Sequence, residues 1–260
     1  MNFIGKDLKE LMPLAYRNEQ FLEQLLSEHF ENIHSKEAIH EIVLELIEII
    51  IRKDERKYIS EKLLDASFKY ISDARTSTVT YNRFVEILSS LQIRFNDERI
   101  KKKLVTTILH DNTTQALAAI DIWCTIFMLS DSSIKQSYLK FWININERFA
   151  QFSTNMPALH TELLLKNFYK LLSPQEKTDV WTKFTACTLR NDRLFLTIGL
   201  DAIPICPAKQ SIIQHFQNEL FGLLKETGKE KTIQGYYTIV IISCSFLWIN
   251  VTSNLLFVFR

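Results

Sequence analysis

The stretch that decides the fold is SKEAIHEIVLELIEIIIRK, Ser35 to Lys53. Ile39, Ile42, Val43, Leu46 and Ile50 recur at i, i+3, i+4, i+7 and i+11, while Glu41, Glu45, Glu48 and Arg52 take the opposite side. That rhythm matches the 3.6-residue turn and marks an amphipathic helix that must bury one face against a neighbour. Ser35 stands at the N-cap, where a hydroxyl can accept one of the orphan N–H groups of the first turn.

The same pattern extends in both directions. Upstream, NEQFLEQLLSEHF puts Phe21, Leu22, Leu25, Leu26 and Phe30 on one stripe; downstream, DERKYISEKLLDASFKYIS repeats it from a potential cap at Asp54. Similar segments follow: TYNRFVEILSSLQIRF, NDERIKKKLVTTILH, NTTQALAAIDIWCTIFML, SSIKQSYLKFWININERFAQF, PALHTELLLKNFYKLL and SPQEKTDVWTKFTAC, then NDRLFLTIGLDAI and AKQSIIQHFQNELFGLLKE. SPQE is the clearest start, with Ser173 as cap, Pro174 at the first helical position and Glu176 closing a capping box. Gly228 is suited to the residue after the last helix.

This predicts an all-α chain of about eleven amphipathic helices joined by short loops. Because paired helices of this kind cannot bury their faces alone, the expected architecture is a HEAT- or armadillo-like α-solenoid over residues 1–228. A compact helical bundle is the alternative. No strict period is visible in the sequence. Residues 229–260 form a linker and a divergent hydrophobic tail.

Composition fits that picture. The 260 residues are 47% hydrophobic and 23% charged, with five Gly and five Pro, too few for a turn-rich β fold. A net charge of +1 gives no global drive toward nucleic acid or an anionic membrane. Cys124, Cys187, Cys206 and Cys244 are scattered and form no CxxC pair, which reads as buried thiols in a reducing, intracellular setting. The first residues carry charges and lack the apolar core of a secretory signal.

Signals for chemistry are sparse in this sequence. A phosphate-cradling loop needs clustered glycines so that backbone N–H groups can approach the anion, and the five here are isolated. His29, His34 and His40 lack HExxH spacing. Glu37 and His40 form a single ExxH step, whereas a di-iron bundle needs two. No GxSxG motif occurs and no cysteine has a histidine nearby in sequence. The sequence therefore predicts no catalytic residue, metal or cofactor. The densest basic run is ERIKKKL, Glu98 to Leu104, in which Arg99, Lys102 and Lys103 share a helical side. With Lys101 they make a candidate phosphate-contacting patch, although a solvated helix face is the commoner role for such a run. Trp123, Trp142 and Trp181 fall at core-like spacing, and Asn112-Thr-Thr and Asn250-Val-Thr read as chance glycosylation sequons.

Three segments carry a family resemblance: AAIDIWCTIFM (Ala118 to Met128), LLKNFYKLLSPQEKTDVWTKF (Leu164 to Phe184) and NDRLFLTIGLDAIP (Asn191 to Pro204). In order and spacing they resemble the fidgetin-like-1-interacting regulator of recombination and mitosis family, over roughly residues 115–216. The details are a Trp-Cys step in a helix, Leu-Leu-Lys followed by Pro and then Lys-Phe, and a helix ending at Ala202-Ile203-Pro204. The resemblance implies a non-catalytic helical scaffold in the nucleus that partners a fidgetin-like AAA+ ATPase. It links the chain indirectly to Rad51-type recombinase filaments, homologous recombination, DNA repair and mitotic chromosome behaviour. Family members are several times longer, which implies a short or truncated member, and no residue-level motif carries over.

The tail YYTIVIISCSFLWINVTSNLLFVFR departs from that pattern, with no charge from Tyr236 to Phe259. Three readings stand: a membrane anchor of about 20 apolar residues, preceded by Lys225, Lys229 and Lys231; a terminal cap on the helical stack; or translated intronic sequence. The first makes the chain a tail-anchored adaptor at an intracellular membrane, the alternative to the nuclear scaffold.

Overall fold

The computed structural model describes residue 12, residues 16–27, 35–71, 77–149 and 155–183, and the single positions 198, 214 and 218. Regular structure among them is helical throughout. The helices are α1 (Glu19–Leu25), α2 (Lys36–Lys53), α3 (Glu61–Ile71), α4 (Thr78–Phe95), α5 (Glu98–Ile108), α6 (Thr113–Leu129), α7 (Ser132–Arg148), α8 (Met156–Leu171) and α9 (Pro174–Lys183), with a 3-10 turn at Arg56–Tyr58. They coincide with the first nine periodic segments of the sequence. The two further segments and the 236–259 tail lie outside the described residues. Among the described residues, no helix is long and apolar enough to cross a membrane.

The chain divides into two compact units, Met1–Ser130 and Asp131–Arg260. In the first, α2 packs on α3 and α4, α4 on α6, α3 on α5 and α6, and α5 on α6. Contacts thus run both between successive helices and between every second helix. α2 and α4 lie parallel: Thr80 Oγ1 donates to Glu41 near their starts at 2.8 Å, and Arg94 to Asp54 near their ends at 3.0 Å.

Helix boundaries are set by local chemistry. Ser35, Ser77 and Asn112 accept from Ala38, Thr80 and Gln115 N–H at the starts of α2, α4 and α6. Asn18 and Asp97 cap α1 and α5, and Ser60 Oγ accepts from Leu63 N–H at the start of α3. Asp54 is not the N-cap expected from sequence. It ends α2 in the left-handed region at φ 60°, as Asn96 ends α4 at φ 47°. Short polar side chains tolerate that conformation, and each turn frees the chain to double back.

α2 buries more than the single stripe its periodicity suggested. Ile39, Val43, Leu46 and Ile50 are buried, but so are Leu44, Ile47 and Ile49, while Ile42 is half-buried. The cause is its position against two partners, α3 and α4. Within this core His40 is 1% exposed, its ring 5.7 Å from Phe84 and 6.4 Å from Tyr70, and its Nε2 has no hydrogen-bond partner. Burial pulls its pKa down to about 4, against the opposing pull of Glu41 and a backbone hydrogen bond at Ser67. In the unfolded chain this imidazole takes its proton near pH 6.5, so between pH 6.5 and 4 the unfolded state holds the extra proton. Stability is expected to fall by on the order of 3 kcal/mol as pH drops through that window. Urea midpoints at pH 7.5 and 4.5 measure this, and His40→Leu should flatten the difference.

In the second unit α7 packs against α8, with Trp142 fully buried and set edge-on to Phe141 at 5.3 Å. Asn155 caps α8. The capping box of α9 forms as its sequence predicts: Glu176 N–H donates to Ser173 Oγ at 3.3 Å, and Ser173 N–H to Glu176 Oε2 at 2.8 Å. Ser132 Oγ also donates to Glu176, and this bond is the chief reason its carboxyl is lowered to about 2. Lys183 Nζ reaches Gln136 Oε1 at 2.6 Å, a second tie between α9 and α7.

Candidate functional site

The basic run sits on α5, and the fold treats its four members differently. Arg99 belongs to the turn. Its guanidinium donates to Asp97 at 2.7 Å and to the Ile59 carbonyl at 2.6 Å, while Arg56 reaches the same carboxylate at 2.9 Å. Asp97, its side chain 2% exposed, is held well below the usual carboxylate range, first by Arg99. Lys101 pairs with Glu98 at 2.7 Å, and Lys103 pairs with Asp65 on α3 while lying 5.7 Å over the Phe68 ring. Lys102 is exposed and makes no ion pair among the described residues. Arg99 and Lys103, two of the three that share a side, are thus occupied in joining α5 to α3 and the preceding turn.

A second charged cluster joins α2 to α4. Arg83 Nη2 donates to Glu45 and Glu48, each at 2.9 Å, and its Nη1 to Glu41. Arg52 adds a contact to Glu48 at 3.1 Å. The acidic side of α2 is therefore a seam against α4, and Glu48 is lowered chiefly by its hydrogen bond from Arg83.

An open groove of about 540 Å³ lies between α4 and α6. Val85, Ile93, Cys124 and Leu129 supply apolar lining; Tyr81, Glu86 and Asp121 supply the polar part. The Tyr81 hydroxyl donates to Asp121. Its pKa is pushed up by burial and then by that carboxylate. Cys124 is half-buried, and burial followed by Asp121 raises its thiol to about 12, so it stays protonated and unreactive at neutral pH. The sequence did not single this groove out. The available signal was Asp121, the only charged residue in α6.

The ExxH step does not converge: Glu37 is exposed, whereas His40 is buried. Among the described residues no group of three His, Cys, Asp or Glu is placed to hold a metal ion. His29 and His34 lie outside the described residues, as do Cys187, Cys206 and Cys244. Trp123 and Trp142 are core, as their spacing suggested; the Trp181 side chain is outside the described part. Asn112 of the first sequon is the α6 cap; Asn250 is not described. Of the three resembling segments, the first forms most of α6, with Trp123 inward and Cys124 on the groove; the second spans α8 and α9; the third lies outside the described residues. No protein-family model matches the chain, and neither does a curated protein or a solved structure.

Proposed function

We propose that the chain is a non-catalytic helical-repeat scaffold that works through protein–protein contacts, as the nuclear partner of a fidgetin-like AAA+ ATPase. The supporting observation is the register of its first unit. Side-chain hydrogen bonds between helices there join residues 33 to 42 positions apart, among them Lys62–Glu23, Arg94–Asp54, Arg99–Ile59 and Ser89–Ile122. α2 and α4 are each 18 residues long, α3 and α5 each 11. A repeat of about 40 residues, packed against the next repeat and not against a distant part of the chain, is the grammar of HEAT and armadillo arrays. Their long surfaces are used to be gripped. The ATPase, the link to Rad51-type recombinase filaments and the roles in recombination, repair and mitosis rest on the three resembling segments. Co-purification of the chain with a fidgetin-like ATPase, with and without residues 236–260, tests the reading; failure of both forms to associate rejects it.

DNA contact through α5 is a subsidiary proposal. Lys101→Glu, Lys102→Glu and Lys103→Glu together should weaken duplex binding and flatten its salt dependence. Because Lys101 and Lys103 already have carboxylate partners, Lys102→Glu alone should account for most of the change. Unchanged binding in a salt titration leaves the run as solvated surface. The uncharged segment 236–259 favours a second reading, a tail-anchored adaptor. Release of the full chain by alkaline carbonate extraction rejects it.

A further inference from the structure

The face of the α4–α6 pair in the first unit is chemically unfinished. The large exposed apolar residues of that unit, Val79, Ile93, Leu117, Met128 and Leu129, all belong to these two helices among the described residues. Val79 is 79% and Leu129 64% exposed. Helical spacing places them in line with the groove. On α4, Val79 lies one turn before Asn82 and two turns before Glu86, with Ile93 two turns beyond Glu86; on α6, Leu117 lies one turn before Asp121, with Met128 and Leu129 beyond. Each helix therefore presents the same order, an apolar group, then a carboxylate, then an apolar group.

Among the described residues the two carboxylates have no countercharge. Asp121 accepts the Tyr81 hydroxyl, Glu86 is exposed, and neither has an ion pair among the described residues. Glu41, Glu45 and Glu48 of α2 differ, since Arg83 and Arg52 answer them. The uncompensated negative charge of this face thus sits midway along a groove with apolar ends. From Val79 to Ile93 the rise is about 21 Å, the length of about four helical turns.

We infer that the α4–α6 groove docks a short amphipathic helix of a partner protein, one that carries Lys or Arg midway between two apolar clusters. The charge order selects the occupant. A neutral or acidic helix would leave Glu86 and Asp121 without a countercharge or repel them, whereas a basic centre answers both while its apolar ends cover Val79, Leu117, Ile93 and Leu129. Two adjacent helices form a trough of the width that receives a third, and they offer no unpaired backbone to an extended strand. This rests on the protein–protein reading above and supplies a surface for it, but it does not depend on the ATPase being the partner.

The probe is a displayed library of random peptides of about 16 residues, selected against the full chain, with the enriched peptides measured by fluorescence anisotropy. Enrichment of the apolar–basic–apolar order is expected. So is a loss of affinity of at least about tenfold on the double variant Glu86→Lys, Asp121→Asn, since two facing charges are removed or reversed. Both positions are exposed, and circular dichroism is the check that the variant folds. Changing the central Lys or Arg of an enriched peptide to Glu should restore binding to the variant. Failure to enrich that order, or enriched peptides indifferent to the variant, overturns the inference. The double variant also enters the ATPase co-purification: capture of the ATPase alongside a failed selection removes the groove and leaves the scaffold. A selection that succeeds where the ATPase is not captured upholds the groove and removes the named partner.

Discussion

Asp97→Ala should lower the unfolding free energy of the first unit by about 3 kcal/mol. Two effects add at this position. The carboxylate is the N-cap of α5, accepting from Arg99 N–H at 2.8 Å, and loss of such a cap costs about 1 kcal/mol. The same group takes charge-assisted hydrogen bonds from Arg56 and Arg99, a class worth about 1.5–3 kcal/mol. A fully buried ion pair would cost more to break. Here the two guanidiniums are 54% and 40% exposed, so water takes them back and the loss stays near the lower figure. Asp97→Asn separates the two effects, because asparagine caps as well as aspartate but carries no charge. It should cost about half as much. The depressed carboxyl also fixes the pH dependence: its contribution is present above about pH 4 and disappears as pH falls through the folded value. Urea titration, with amide exchange followed over residues 98–108, reads all three. An alanine variant within about 0.5 kcal/mol of the parent would mean that the turn is held by something other than its charges.

The helices were legible because their apolar period is strong, and the caps at Ser35 and Ser173 because a serine in front of an apolar run has few other roles. The proposed repeat was not, although a common offset runs through the helix boundaries. An offset of 42 residues separates Tyr16 from Tyr58, Asn18 from Ser60, Ser35 from Ser77, Arg52 from Arg94 and Asp54 from Asn96. Between those marks the register carries little identity: Val43 meets Val85, but Leu44 meets Glu86 and Ile50 meets Gln92. Core positions need only volume and greasiness, which many side chains supply, whereas a left-handed turn or a capped start accepts few. A search by apolar pattern therefore passes over a period that a search by turn chemistry would find. The misreading of Asp54 has the same origin. An aspartate before a periodic run fits a cap, and only the turn geometry shows that it closes the helix behind it. The groove stayed hidden for a different reason, since Glu86 and Asp121 lie on separate helices and come to line one groove only when α4 packs on α6. The basic run was visible as charge, but its partners Asp65 and Ile59, 38 and 40 residues away, were not.

The second large effect is expected at Phe84, which is fully buried and stands where α2, α3 and α4 meet. Its ring lies edge-on to Phe68 of α3 at 5.2 Å and is tilted toward His40 of α2 at 5.7 Å. Phe84→Ala should cost about 4 kcal/mol, because the site loses both the transfer energy of the ring and the contacts around the void. Phe84→Leu should cost far less, since it refills most of the volume without adding a polar atom. The neighbouring histidine gives the alanine variant a second readout. His40 is held near pKa 4 mainly by the absence of water, so a void that admits water should move its titration upward toward 6.5. A void that stays dry should leave it in place. Proton NMR of the imidazole separates the two, and the acid sensitivity of folding must follow: a hydrated void shrinks the loss between pH 6.5 and 4, whereas a dry one preserves it on a less stable background. If the alanine variant unfolds within about 1 kcal/mol of the parent, the three helices do not depend on this ring for their junction, and other contacts hold α2, α3 and α4 together.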